Sequence, residues 1–259
     1  TKFALRRVII LKIVCRCGGH TFCSKKMFFI PHQGLYNKQM IKAIIFDLDG
    51  TLLDTSLDIQ FVLNASLSKF SLPPVPLKKL YGMLGDGAYN LVDRAVPEDK
   101  KELVKQVYDD YVPAYAACDN SRTVLYDGED EALMRLKRAG VKLCVLSNKP
   151  QTATSNVCAQ KLGKYGFDMV IGQGRFPLKP DTAAVEYIMQ TLGIGRDECI
   201  ITGDGEADYF TAKNAKIPCI SVLWGFRTRE KLLSFGADTF ALNYTEYLQI
   251  LQEKFLLKA

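Results

Sequence analysis

The stretch IIFDLDGTLLDT, residues 44–55, sets an apolar run directly before two aspartates spaced two apart, then Gly-Thr, then a third acid at Asp54. A short β-branched run that stops at a glycine turn reads as a strand buried on both faces, and it begins at Ile41. Similar runs recur at 141–146, 167–171, 198–202, 217–222 and 237–241. Between them lie amphipathic stretches with helical periodicity, near 129–139, 151–162, 181–192, 206–215, 228–235 and 244–255. This alternation predicts an α/β fold: a three-layer, doubly wound, Rossmann-like parallel sheet.

The alternation stops between Thr55 and Tyr126, which read as helices only. One helix is expected near 57–69 and another near 99–116, where Leu103, Val104, Val107, Tyr108, Tyr111 and Val112 share a face. The proline-rich LPPVPL at 72–77 and the glycine-rich GMLGDGA at 82–88 divide the segment. The second of these is expected to serve either as a turn or as a loop that touches substrate. The expected organisation is a leader at 1–39, a core of 40–54 with 127–259, and an inserted helical domain at 55–126.

The net charge of +6 misleads as a guide to partners. Nine of the 34 Lys/Arg lie in residues 1–46, which contain no acid, so the remainder carries 25 basic against 28 acidic residues. No nucleic-acid partner is expected of such a body. The leader's apolar run at 8–14 is interrupted by Lys12 and falls far short of the roughly 20 residues a membrane helix requires. Met40 reads as a natural start, with 1–39 as non-native or disordered upstream sequence and a basic transit peptide as the second reading. The cluster Cys15, Cys17, His20 and Cys23 is too compressed for a usual structural zinc site. Cys118, Cys144, Cys158, Cys199 and Cys219 have no regular spacing, which suits a reducing cytoplasm, and those in or beside strands read as core. A monomer or homodimer is expected.

Polar residues gather where strands end. Asp47 and Asp49 follow the first strand, Ser147 and Asn148 the second, and Asp204 a later one. Ligands of open parallel sheets bind outside those carboxyl ends, so residues distant in sequence are expected to meet in one crevice. Lys179 joins them from the loop before a helix that Pro180 is suited to open. Crowded carboxylates call for a cation, and an all-oxygen set with few protein ligands suits Mg²⁺ shared with a phosphate. Both histidines, His20 and His32, lie in the leader, so proton transfer in the body falls to carboxylates. Asp54 reads as a helix cap. Arg227 and Arg229 read either as exposed arginines or as attractors of an anionic substrate.

DLDGTLLDT at 47–55, LSNK at 146–149, LKP at 178–180 and GDGEAD at 203–208 together resemble the four motifs of the haloacid-dehalogenase-like phosphatases. The resemblance implies a nucleophilic Asp47 that forms an aspartyl-phosphate, and Asp49 as the proton donor and later base. It implies Ser147, Asn148 and Lys179 as phosphate-binding residues. Asp47, Asp204 and the main-chain carbonyl of Asp49 would bind Mg²⁺, with Asp208 and Thr51 supporting them. The segment 55–126 would be the helical cap. The second Asp is unlike the dehalogenase and ion-pump branches, and the cap lacks the histidine of sugar-phosphate mutases. The carboxyl end, with WGFR at 224–227, resembles the phosphoglycolate phosphatase branch, which implies a small phosphorylated metabolite, 2-phosphoglycolate first. A sugar phosphate, a nucleotide, pyrophosphate, or a catalytically silent fold are the alternatives. Gly205 departs from the usual Gly-Asp-Ser and puts one supporting hydrogen bond in doubt.

Overall fold

A computed structural model describes residues 9–17, 20–28 and 40–255. They fall into two units, divided between Lys38 and Gln39. In the first, β1 (Ile9–Cys17) and β2 (His20–Phe28) form an antiparallel ladder, an element the leader's composition did not announce. The side chains of the Cys15–Cys23 cluster lie outside those described, and so does the zinc reading.

In the second unit the chain runs through β3 (Ala43–Phe46), β4 (Leu53–Asp54), α1 (Ser56–Lys69), α2 (Leu77–Tyr81), α3 (Ala88–Ala95), α4 (Val104–Ala116) and β5 (Val124–Leu125). It continues through α5 (Glu129–Arg138), β6 (Lys142–Pro150), α6 (Gln151–Val157), β7 (Met169–Gln173) and α7 (Ala183–Leu192). The last elements are β8 (Cys199–Gly203), α8 (Glu206–Ala215), β9 (Cys219–Val222), α9 (Arg229–Phe235), β10 (Phe240–Ala241) and α10 (Tyr244–Phe255).

Six strands form a parallel sheet in the order β10-β9-β8-β3-β6-β7. Successive residues of β3 feed opposite faces, as the two-residue period of a strand requires. Ile44 and Phe46 pack with Leu133 and Leu136 of α5 and with Tyr247 and Leu251 of α10. Ala43 and Ile45 pack with Val185 and Ile188 of α7 and with Ala212 and Ala215 of α8. The sheet is therefore the middle of three layers, as predicted. Cys144 and Cys199 are buried, and burial pushes both thiols up to about 12, so they stay protonated and act as core.

Strand order reverses beside β3, since β6 and β7 follow it on one side and β8, β9 and β10 on the other. A crevice opens at such a switch point beyond the strands' carboxyl ends.

The segment after β3 differs from the expectation of helices alone. β4 and β5 pair antiparallel, Leu53 with Leu125 and Asp54 with Val124, because the outgoing and returning chains run side by side where they leave the core. Between them α1 to α4 bury an apolar cluster that includes Val62, Leu63, Leu67, Leu80, Val92 and Val107. The expected stripe on α4 is real at Val104, Val107, Tyr111 and Tyr115. Asp54 accepts from Ser56 N (3.0 Å) and Oγ (2.6 Å) at the entrance to α1.

Among the described residues two buried acids, Asp58 and Glu129, lie outside the crevice. Glu129 opens α5 with no exposed surface, accepts from Tyr126 N at 3.2 Å through Oε2, and leaves Oε1 without a partner. Burial pushes its carboxyl up to about 9, against the pull of that N–H. The folded chain thus keeps a proton that the unfolded chain releases near 4.5. The contribution to stability is full below that value and is lost as pH rises toward 9. Glu129→Gln cannot ionise, and at pH 8 it is expected to stabilise on the order of 2 kcal/mol, or roughly 4 °C or more in Tm. The two melting curves should converge at pH 5; a gap independent of pH would refute the burial account.

Candidate active site

The β3 carboxyl end turns at once. Leu48 O accepts from the main-chain N–H groups of Thr51 (3.3 Å), Leu52 (3.1 Å) and Leu53 (3.0 Å), and Gly50 N donates to Leu53 O (2.9 Å). Trp224 Nε1 (3.0 Å) and Tyr244 Oη (3.1 Å) both donate to Thr51 O, so the turn is tied to the segment after β9 and to α10. Gly50 has φ +88°, and a Cβ there would lie 2.5 Å from Asp204 Oδ2. Only glycine both adopts that backbone and admits the second carboxylate so closely.

The structure brings Asp47, Asp49, Ser147, Asn148, Lys179, Asp204 and Asp208 to the lining of one cavity of about 700 Å³, counting its open mouth. Lys179 Nζ donates to Asp47 Oδ1 (2.8 Å) and Asp208 Oδ1 (2.6 Å), with its side chain 4 % exposed. It is no solvated surface charge. Its peptide bond to Pro180 is cis, and α7 begins three residues later at Ala183, so Lys179 sits in the loop above the sheet and not at the helix cap. Asp204 Oδ2 accepts from Phe226 N at 2.6 Å. The Thr51 hydroxyl lies 3.4 Å from Asp204 Oδ1, a long contact.

One carboxylate oxygen from each of Asp47, Asp204 and Asp208 lies within 4.8 Å of the others. Burial, reinforced by repulsion from Asp208, pushes Asp47 up to about 8 against the attraction of Lys179. The same two causes push Asp204 up to about 7. Burial works against the Lys179 ammonium, yet Asp208 and Asp47 outweigh it and hold its proton more tightly than usual. One cation for three acids leaves the cluster short of positive charge, and its all-oxygen donor set fits a hard divalent ion.

Asn148 braces the site. Its Oδ1 accepts from Lys179 N (2.8 Å), and its Nδ2 donates to Lys179 O (3.2 Å) and to Gly85 O (2.9 Å) in the loop before α3. Ser147 is buried, and its Oγ accepts from Lys149 N at 3.3 Å. In place of a serine side chain at 205, Gly205 offers its main-chain N–H to Asp208 Oδ2 (3.1 Å), so backbone supports that carboxylate.

Sequence reasoning missed Lys149. β6 runs four residues beyond its predicted end and carries this lysine into the cavity, where Nζ donates to Asp49 Oδ1. Tyr111 and Tyr115 of α4, read as packing, also face the cavity as a stacked pair. Arg227, which also lines the cavity, is tied into the fold: its guanidinium donates to Glu206 Oε2 (2.8 Å), Tyr81 O (2.6 Å) and Leu84 O (2.6 Å). It clasps the glycine-rich loop onto the core, and Tyr81 stacks on Phe226 beside it at 5.4 Å. That loop lines the cavity through Leu84, Gly85 and Gly87. Arg229 lies over Phe240, elsewhere.

A family model for haloacid dehalogenase-like hydrolases matches residues 44–222. "Phosphoglycolate phosphatase 1" of Pseudomonas aeruginosa is 32% identical over 196 residues, 71% of this chain and 70% of that protein. "Phosphoglycolate phosphatase" of Psychrobacter arcticus is 30% identical over 215 residues, 79% of this chain and 90% of that protein. A crystal structure from Lactobacillus delbrueckii, provisionally assigned as a phosphoglycolate phosphatase, superposes with a TM-score of 0.76 at 29% identity, covering 82% of this chain and 98% of that one.

Proposed function

The chain belongs to the haloacid dehalogenase-like hydrolase family, and from that premise we propose that it is a Mg²⁺-dependent phosphatase of small phosphomonoesters, 2-phosphoglycolate first among them. The observation that carries the reading is the convergence of Asp47, Asp49, Lys179 and Asp204 on one cavity. The relatives named above favour phosphoglycolate over a sugar phosphate or nucleotide.

In this reading Asp47 attacks phosphorus through a carboxylate oxygen while Asp49 gives a proton to the departing alcohol oxygen. The aspartyl-phosphate is then opened by a water whose proton returns to Asp49. Lys179 and the Ser147 hydroxyl hold the phosphoryl oxygens, and Asn148 fixes the main chain of Lys179. Thr55 Oγ1, 2.5 Å from Asp49 Oδ1, and the Lys149 ammonium orient the proton donor. Asp47, Asp204 and the Asp49 carbonyl would hold Mg²⁺, with Asp208 behind them; bound there, the ion supplies the positive charge that the acids and a phosphate dianion need. Residues 55–126 act as the cap, clasped by Arg227 and Asn148 over the crevice so that water is excluded during transfer.

The test is steady-state hydrolysis of a panel comprising 2-phosphoglycolate, a hexose phosphate, a nucleoside monophosphate and pyrophosphate, with and without Mg²⁺. The expected result is Mg²⁺-dependent release of phosphate, with kcat/KM highest for 2-phosphoglycolate by about tenfold or more. Hydrolysis of no panel member would sink the phosphatase reading.

A further inference from the structure

We propose that Lys149 is the residue that reads the leaving group, making the preferred substrate a short phosphomonoester whose alcohol carries a carboxylate next to the ester carbon. The inference rests on the phosphatase reading and adds the residue that selects the alcohol that departs.

Three cationic side chains line the cavity: Lys149, Lys179 and Arg227. Lys179 is shared by Asp47 and Asp208, and Arg227 is held by Glu206 and two main-chain carbonyls. Lys149 is different. Its side chain is 3 % exposed, and among the described residues its ammonium has one hydrogen-bond acceptor, Asp49 Oδ1. Its other neighbour is the face of Tyr115, with Nζ 4.9 Å from the ring centroid. An ammonium has three N–H donors, and leaving two of them buried without an oxygen acceptor is costly. An anion in the cavity removes that cost.

Position decides which anion. Lys149 is one hydrogen bond from Asp49, the group assigned to the departing oxygen, and so stands on the leaving-group side, away from the acids around Lys179. A carboxylate bonded to the ester carbon would depart on that side with the alcohol. Tyr115 and the Tyr111 stacked on it stand beside Lys149, and Ile59, Ala88 and Leu91 add to the apolar lining of the cavity, which offers few partners to the hydroxyls of a sugar and suits a small organic acid.

The experiment compares 2-phosphoglycolate with ethyl phosphate, its counterpart without the carboxylate, for the wild type, Lys149→Met and Lys149→Gln. Both esters should lose rate, because Asp49 loses its ammonium partner. The loss in kcat/KM for 2-phosphoglycolate should exceed that for ethyl phosphate by at least about tenfold, mostly through KM. Lys149→Arg should recover part of the difference. Equal losses for the two esters would overturn the assignment and leave Lys149 a positioning residue for Asp49. A wild type that hydrolyses both esters without preferring the carboxylate would also overturn it, even if neither variant folds, while the phosphatase reading survives. Hydrolysis of neither ester, nor of any other phosphomonoester, ends both.

Discussion

Asp47→Asn is expected to lower kcat for phosphomonoester hydrolysis by at least about 10³-fold while leaving the protein folded. An amide is a poor nucleophile toward phosphorus and cannot carry the charge that the attacking carboxylate brings. The fold should tolerate the change because Asn has the shape of a neutral Asp. Burial and Asp208 already push Asp47 up to about 8, so without a divalent ion the side chain is largely neutral at pH 7. One hydrogen bond changes, since Lys179 Nζ donates to Asp47 Oδ1 and the Asn oxygen accepts in its place. Steady-state kinetics on 2-phosphoglycolate, with thermal melts alongside, checks both halves. A variant retaining a tenth of the activity would remove Asp47 from the chemistry.

Magnesium is expected to raise Tm, and to do so more at pH 8 than at pH 6. Asp47 and Asp204 are pushed up to about 8 and about 7, mainly by burial. Both values lie above the ordinary 3.8, so in the metal-free protein these groups favour the folded state most at low pH and progressively less as pH climbs toward 8. Rising pH ionises the cluster and improves it as a cation site, because a divalent ion competes with protons for the same oxygens. At a concentration about 100 times Kd, binding adds about 2.7 kcal/mol, a shift of several degrees for a domain of this size. Asp204→Asn should shrink the gain and its pH dependence, leaving the part due to Asp47, and lower kcat/KM by about 10²-fold or more. A gain of equal size in wild type and Asp204→Asn would place the ion elsewhere.

The local parts of the site were legible because chain geometry forces them. An apolar strand that ends in DLDGT has to deliver its carboxylates at the sheet edge, and the alternation of strands and helices makes that edge common to Asp47, Ser147 and Asp204. Cys144 and Cys199 read correctly as core for the same reason, since a strand buried on both faces leaves no reactive exposure, while Cys219 at the start of β9 is half-buried. The exact end of β6 was not legible. Ser147, Asn148 and Lys149 are polar, which resembles a turn in sequence, yet the strand continues through them, with an irregularity, to Pro150, which pairs with Gln173 of β7.

The sequence by itself determined the three-layer fold, the inserted helical segment and the set of acids that meet, because periodicity and strand-end placement are properties of neighbours along the chain. Tertiary structure alone decided which charges are satisfied. Arg227 and Lys149 are both cations beside the site, but Glu206 and two main-chain carbonyls pin the first to the fold, whereas the second meets a single acid and keeps donors for a ligand. Those acceptors come from segments far away in sequence, at Tyr81, Leu84, Glu206 and Asp49, and no local pattern encodes a contact that exists only after the helical insertion has packed against the sheet.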